Sequence, residues 1–263
     1  MEPKRDRDVV LEIEGGRIHF RVYGVRSPRN MPYDDCSGVS LRLTPAVGAL
    51  GMTLRYHVDL LGRDGEPAIA IGDTTSLLEA RDLWRRAADA IGKPAVMLMP
   101  DGADANQPPS DPPPPGIARS VEGGRVRVTV NRSRLEYVFV FLLAVGLTVT
   151  MANSEPSQDS AFFMLVAGGL LVYAVIGGLS SRFVEIADGT LAAGLRTPLG
   201  ALARVEMPLA DIDVVLWGRT VKGWGKIRSA FAIATDQRAR SFDRLPEDQA
   251  RWLAQFVRQA VRG

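Results

Sequence analysis

Residues 137–181 have the sequence YVFVFLLAVGLTVTMANSEPSQDSAFFMLVAGGLLVYAVIGGLSS, which is the most informative part of the chain. It contains two apolar runs without a charged residue, 137–152 and 160–181, which are separated by a polar turn. A helix of about 20 apolar residues crosses the hydrocarbon core of a bilayer, and the first run is near the lower limit. The sequence therefore predicts a transmembrane helical hairpin at 136–181. The alternative is a helical hairpin buried in a soluble core.

The charges that flank the two runs predict an orientation. The turn between the runs carries Glu155 and Asp159 and no basic residue, whereas arginines lie on both outer flanks. Basic residues stay on the cytoplasmic side of a membrane. We therefore expect an integral protein of the bacterial cytoplasmic membrane with two spans and with both termini in the cytoplasm. The flanking arginines are Arg125, Arg127, Arg132, Arg134, Arg182, Arg196 and Arg204.

Small residues recur every four positions in the two apolar runs. Ala144, Thr148 and Ala152 have this spacing in the first run, and Ala174 and Gly178 have it in the second. Small side chains let helices approach closely, so these five residues are candidates for helix packing in the membrane or for homo-oligomerisation. Neither run contains an ionisable group that would mark an ion path, which argues against a transporter or channel acting alone.

Composition excludes several classes of protein. The formal net charge of +2 gives no case for nucleic-acid binding, which normally requires a concentrated basic surface. Cys36 is the single cysteine, so an intrachain disulfide framework and a cysteine-rich zinc site are excluded. The first residues are polar and no apolar segment follows them, so a cleavable signal peptide is not expected. We predict no cofactor.

Two β-rich pieces surround a proline-rich linker. The predicted divisions are an N-terminal β-rich module with a closing helix at 8–97, a linker at 98–120, a β-hairpin at 121–135, and a further module at 182–263. Glycine pairs at Gly15-Gly16 and Gly123-Gly124 each interrupt an alternating apolar pattern, as in β-hairpins. An amphipathic helix is predicted at the end of each module, so a duplicated module and a convergent strand–helix pattern are both open.

From Arg182 onward, strand and turn signals lead to the step Pro208-Leu209-Ala210-Asp211-Ile212 and then to a C-terminal helix with Trp252 and Phe256. This order resembles bacterial pleckstrin-homology-like (PH-like) domains that are fused to a two-helix transmembrane hairpin. The resemblance covers 182–263. It implies an α+β fold with two small β-rich PH-like modules, each closed by a C-terminal helix, plus the inserted hairpin. The N-terminal module would be a divergent copy, because it lacks the Asp-Ile step.

One segment near the C-terminus combines tryptophans with basic residues. Cationic side chains are attracted to anionic lipid headgroups, and tryptophan favours the membrane interface. The alternative is a solvated hairpin whose tryptophans pack on the β-structure. The candidate lipid-binding residues are Trp217, Arg219, Lys222, Trp224, Lys226 and Arg228.

A catalytic or metal site has one weak candidate, the run Asp34-Asp35-Cys36 with His19 or His57 as a further ligand or base. Both histidines alternate within predicted strands, which favours an ordinary structural role. The chain has no phosphate-binding loop, nucleophile elbow or zinc-protease motif. We therefore predict no catalytic residues, no metal site and no enzyme.

The sequence thus favours a non-catalytic, membrane-anchored scaffold or adaptor that binds a protein partner at the cytoplasmic membrane face. Two alternatives stay open: a sensor of anionic lipid headgroups that acts through the 217–228 loop, and an accessory subunit of a membrane transporter or enzyme complex. The expected partners are membrane lipids and a protein, with no nucleic acid.

Overall fold

A computed structural model describes residues 9–22, 25–48, 51–100, 108–131, 135–153, 158–219 and 228–263. These ranges are mostly β-structure. The strands are β1 Val9–Glu14, β2 Arg17–Val22, β3 Val25–Pro32, β4 Gly38–Gly48, β5 Gly51–Leu61, β6 Pro67–Thr74, β7 Ala95–Leu98, β8 Ile117–Glu122, β9 Arg125–Asn131, β10 Ser181–Ala187, β11 Thr190–Thr197, β12 Gly200–Pro208, β13 Val214–Arg219, β14 Ser229–Ala234 and β15 Ala239–Leu245. The helices are α1 Leu77–Ile91, α2 Leu135–Ala152, α3 Gln158–Leu179 and α4 Glu247–Arg262.

The chain divides into two compact units, and the division does not follow chain order. The first unit combines Met1–Pro112 with Met207–Gly263, and the second is Pro113–Glu206. The described residues of the first unit form three sheets, with strand orders β1-β2-β3, β6-β5-β4-β7 and β13-β14-β15. All pairings described in these sheets are antiparallel except that of β7 with β4.

The core of the first unit is shared by segments from both ends of the chain. Leu41 and Val58, which face each other across β4 and β5, belong to the same buried cluster as Leu216 of β13. Helix α1 covers this cluster with an apolar stripe, as expected for a helix with apolar residues every three or four positions. Its Trp84 is buried, and the indole Nε1 donates a hydrogen bond to the Val39 carbonyl oxygen at 2.9 Å.

Strand β13 is buried along its length because both of its faces are covered. Val214 and Leu216 join the shared core, so strand alternation places Val215 and Trp217 on the opposite face. Helix α4 packs there, and the Arg258 guanidinium donates to the Val215 carbonyl oxygen at 2.7 Å. Burial lowers the pKa of Arg258 to about 10, with a smaller contribution from a neighbouring positive charge.

Glycine at position 218 is required by the close approach of two strands. A Cβ atom added to Gly218 would lie 2.0 Å from the backbone oxygen of Leu43, which is far inside van der Waals contact. The β13 backbone therefore rests directly on β4.

Helix α4 contributes a stacked aromatic pair to the first unit. The rings of Trp252 and Phe256 are stacked with centroids 5.2 Å apart, and both side chains are buried. The Trp252 Nε1 donates to the Ser110 carbonyl oxygen at 2.8 Å, so this residue of the predicted linker is held against the helix. Leu253 is fully buried.

The second unit is a five-stranded antiparallel sheet of order β12-β11-β10-β9-β8 with helices α2 and α3. Val128 and Val184 face each other across β9 and β10 and are fully buried. The buried Glu185 on β10 is neutralised by Arg127 at 2.5 Å and by Arg125 at 3.5 Å, as a buried carboxylate requires.

The predicted fold class is wrong. The structure is mostly β rather than two small modules that are each closed by a helix. The segment 182–263 is divided between the two units, because β10 and β11 belong to the sheet of the second unit, whereas β13 and β14 complete the core of the first and α4 lies in that same unit. The division of 182–263 between the two units therefore depends on strand partners that are far apart in sequence.

The predicted two-span hairpin is also wrong, and with it the two-span localisation with both termini in the cytoplasm. Among the described residues, one helical segment is long and apolar enough to cross a membrane, Ala161–Leu179. The apolar segment Tyr137–Met151 of α2 is shorter and extends roughly 22 Å at 1.5 Å per residue, less than the roughly 30 Å of a hydrocarbon core.

The step from Pro208 to Ile212 has an unpredicted counterpart near the N-terminus. Each forms a short 3-10 turn, Leu209–Asp211 in one case and Tyr33–Asp35 in the other. The prolines that precede the turns have φ and ψ of −59° and 135° at Pro208 and −55° and 136° at Pro32. Cys36 occupies the place of Ile212, so the N-terminal segment lacks the Asp-Ile step although its backbone is alike.

Candidate functional site

Helices α2 and α3 pack closely against each other at one end. The Tyr137 ring lies 5.8 Å from the Tyr173 ring, measured between centroids. A Cβ atom added to Gly177 would lie 2.1 Å from Cε1 of Tyr137, so glycine is required for this contact. The Tyr137 ring of α2 thus packs directly on the backbone of α3 at Gly177, which has no side chain.

The outer surface of this helical pair is apolar and exposed. Among the described residues of α2 and α3, fourteen large hydrophobic side chains are exposed, and 11% of the most apolar window of Ala161–Leu179 is buried. Soluble monomers rarely expose a continuous apolar patch of this kind, and such a patch marks contact with a membrane or with another protein. The exposed side chains are Val138, Phe139, Phe141, Leu142, Leu143, Val149, Phe162, Phe163, Met164, Leu165, Val172, Tyr173, Val175 and Leu179.

The small residues predicted to pack the helices have different surroundings. Ala144 and Ala174 are buried, and a Cβ added to Gly178 would lie 3.4 Å from the Tyr137 side chain. The Thr148 hydroxyl donates to the Ala144 carbonyl oxygen at 2.8 Å, which satisfies it within its own helix. The side chain of Ala152 lies outside the described part of the structure.

An open cleft of about 560 Å³ lies on the first unit. One wall comes from Asn30, Met31 and Pro32 at the end of β3, with Asp35 in the turn that follows. The opposite wall is the β5–β6 connection and the start of β6. The cleft therefore combines apolar and charged groups, as protein-binding surfaces do. The residues of this second wall are Gly62, Arg63, Asp64, Ala68 and Ile69.

Hydrogen bonds fix the second wall of the cleft. The Gly62 N–H donates to the Glu66 carbonyl oxygen at 2.8 Å, and the Glu66 N–H donates to the Asp64 carboxylate at 3.1 Å. The Ser37 hydroxyl donates to the Gly62 carbonyl oxygen at 2.5 Å. A salt bridge of 2.6 Å between the Arg63 and Asp35 side chains joins the two walls. The cleft is thus formed by an ordered turn.

Three of the six residues predicted to bind lipid lie in the described part of the structure, and they differ in exposure. Trp217 is 1% exposed and has the Arg251 guanidinium 5.3 Å from its ring centroid, so it is a core residue. Arg219 makes an ion pair with Glu247 at 3.5 Å, and Arg228 is exposed. Lys222, Trp224 and Lys226 lie outside the described residues. Lipid binding by this loop stays a prediction.

The candidate residues near Cys36 form no metal cluster among the residues that the structure describes. Cys36 is buried, its thiol donates to the Gly38 carbonyl oxygen at 3.4 Å, and burial raises its pKa. His57 lies on β5, and burial followed by the positive charge of Arg42 lowers its pKa. Neither the thiolate nor the imidazolium form is favoured by these surroundings.

An arginine clamp that the sequence analysis missed joins helix α1 to the start of β13. The Arg81 side chain donates to both carboxylate oxygens of Asp213, with a shortest distance of 2.6 Å. Arg85 adds a contact of 3.1 Å. The hydrogen bond to Asp213 raises the pKa of Arg81. The partners are 132 residues apart, so local patterns do not predict the pair.

No model of a known protein family matches this chain, and comparison with curated proteins finds no match either. The resemblance to bacterial PH-like proteins therefore stays a prediction.

Proposed function

We propose that this protein is a non-catalytic adaptor that is attached to a membrane by helix α3 and binds a protein partner through its first unit. The observation that carries the proposal is that the helical segment Ala161–Leu179 is apolar and exposed. Only 11% of its apolar window is buried within the chain. Exposing this surface to water is unfavourable by about 25 cal/mol for each Å². A lipid bilayer removes that cost, and a segment of this length matches the hydrocarbon thickness.

Side-chain chemistry in the first unit supports a binding role. Several of its charged side chains are paired within the fold: Arg81 binds Asp213, and Arg42 binds Asp59 at 2.7 Å. Such pairs stabilise the scaffold. The cleft between the end of β3 and the β5–β6 turn offers an apolar contact at Ile69 beside charged groups, with the buried Met31 beneath it. A peptide segment of mixed character fits this surface best.

Membrane attachment is tested by alkaline carbonate extraction of membranes from cells that express the full chain. We expect the wild type to stay in the membrane pellet. The double variant Leu165→Lys, Val172→Lys should be released, because a lysine at the centre of a span costs roughly 3 kcal/mol. Val121→Lys, at an exposed position of β8, is the matched control and should stay in the pellet. Release of the wild type would contradict the proposal.

Partner binding is tested with a photoreactive amino acid at Ala68, which is exposed at the cleft. We expect one discrete crosslinked product in native membranes, and Ile69→Glu should abolish it because a buried carboxylate opposes an apolar contact. The same probe at Val10, which is exposed on β1, is the control. Identical products from Ala68 and Val10, or a product that persists in Ile69→Glu, would exclude the cleft.

A further inference from the structure

The β11–β12 connection carries an exposed apolar tip that neither the function proposed above nor the core uses. Leu199 is 83% exposed and Leu202 is 52% exposed. Turns of this kind are normally polar, because their side chains face water. Leu199 in the turn and Leu202 near the start of β12 together form an exposed apolar surface at this end of the sheet, of the kind that marks contact with an apolar phase.

Hydrogen bonds of Thr197 fix the turn that presents Leu199. The Leu199 N–H donates to the Thr197 hydroxyl oxygen at 3.2 Å, and this hydroxyl donates to the Gly200 carbonyl oxygen at 3.0 Å. Thr197 itself is buried. The exposure of Leu199 is thus a property of an ordered turn, and Ala203 in the strand that follows has a positive φ of 49°.

Strand register places this tip at the end of helix α3. Helix α3 ends at Leu179, and β10 begins at Ser181, which pairs with Arg196 of β11. Neighbouring strands lie roughly 5 Å apart, so the turn after Thr197 lies beside the point where α3 enters the sheet. The tip and the apolar helix therefore share one end of the second unit.

We propose that the tip of the β11–β12 hairpin is a second membrane contact, with Leu199 and Leu202 in the interfacial layer of the bilayer that α3 enters. This inference rests on the proposed attachment through α3. The exposed Arg196, at the register position of Ser181, supplies a positive charge at the depth where phosphate headgroups lie. The contact fixes the orientation of the second unit at the membrane surface, which one spanning helix alone leaves free to rotate.

Environment-sensitive fluorescence of the full chain tests this contact. Single cysteines are introduced at Leu199, at Leu165 of α3 and at Val121 in a Cys36→Ala background, and each is labelled with nitrobenzoxadiazole. The variants are reconstituted in vesicles of phosphatidylcholine and phosphatidylglycerol, with or without brominated acyl chains. Val121 is the matched control, because it is 60% exposed and lies next to the Gly123-Gly124 turn at the opposite end of the sheet.

We expect a blue-shifted emission and strong quenching by shallow brominated lipids at Leu199, strong quenching at Leu165 and little quenching at Val121. Arg196→Glu should reduce the quenching at Leu199 and leave that at Leu165 unchanged. Quenching at Leu165 with a Leu199 signal equal to that of Val121 overturns the second contact and leaves the attachment through α3 intact. Absence of quenching at Leu165 overturns the proposed attachment and the second contact together.

Discussion

Helices α3 and α4 differ in how far the rest of the chain buries their apolar side chains. In α4 the apolar residues lie on one side, and Leu253, Val257 and Trp252 are buried against strands of the same chain. In α3 apolar residues surround the helix, and Leu165 is 76% exposed. The one-sided pattern of α4 indicates packing within the chain, and the all-round pattern of α3 indicates contact with something outside it. The difference identifies α3 as the helix whose apolar surface the rest of the described chain leaves uncovered.

Truncation of a buried leucine gives the largest expected effect on this comparison. Leu253→Ala should lower the free energy of unfolding by about 3 kcal/mol, because the side chain is fully buried and its loss leaves a cavity. Leu165→Ala, the matched change in α3, should alter the same quantity by less than about 0.5 kcal/mol in detergent solution. Urea titration followed by far-UV circular dichroism, which reports on both units, measures both. Equal losses would mean that α3 also has a partner within the chain.

Removing the arginine clamp tests how strongly the stability of the first unit depends on contacts between segments that are far apart in sequence. Arg81→Ala should cost about 2 kcal/mol of unfolding free energy, since it removes a two-pronged contact to the mostly buried Asp213 carboxylate. Arg86→Ala, an exposed position of the same helix, is the control and should have little effect. The same urea titration applies. A loss no larger than that of Arg86→Ala would reduce the clamp to a surface ion pair.

The contact between α2 and α3 can be broken at a single glycine. Gly177→Ile places a side chain in the Tyr137 ring and should destabilise the helical pair by about 1–2 kcal/mol. Gly168→Ile is the matched change, because nothing lies within 4 Å of a Cβ there. The midpoint of unfolding by dodecyl sulfate in mixed micelles measures both variants. Similar midpoints for the two would show that the Tyr137 contact contributes nothing.

Lowering the pH gives the smallest expected effect on the free energy of unfolding, and the effect concerns the first unit. Burial holds the pKa of His57 below its ordinary value of 6.5, so the unfolded chain binds a proton that the folded chain does not. The free energy of unfolding should therefore fall as the pH falls through this value. His57→Gln should flatten the slope between about pH 7.5 and about pH 5.5, measured by urea titration at each pH. An unchanged slope would exclude this histidine as the source.

Local features of the fold are predictable where neighbouring residues determine them. The Gly15-Gly16 and Gly123-Gly124 turns have positive φ and join antiparallel strands, as the alternating patterns around them indicate. The buried stripes of α1 and α4, with Trp84 and Leu253, follow from helical spacing. These predictions depend on contacts within a few residues.

Long-range partners are not predictable in this way. The pattern of Val214 and Leu216 indicates a buried strand, yet it contains no signal that the strand lies against β4. The residues of the two cleft walls, like the partners of the Arg81 clamp, are also far apart in sequence. The apolar composition of α3 and the short length of the first apolar run are both visible in the sequence, whereas the bounds of the apolar helical segment of α2, Tyr137–Met151, come from the structure.

The split composition of the first unit has a consequence for biosynthesis. Because its core needs Leu216 and Ala232, which are translated after the apolar helices, the N-terminal strands leave the ribosome without their final cover. At rates of roughly 5–20 residues per second, the delay is on the order of ten seconds. During that time the nascent strands expose apolar edges, so chaperone contact is expected there. A premature stop codon near the 3′ end would therefore damage the part of the protein that was made first.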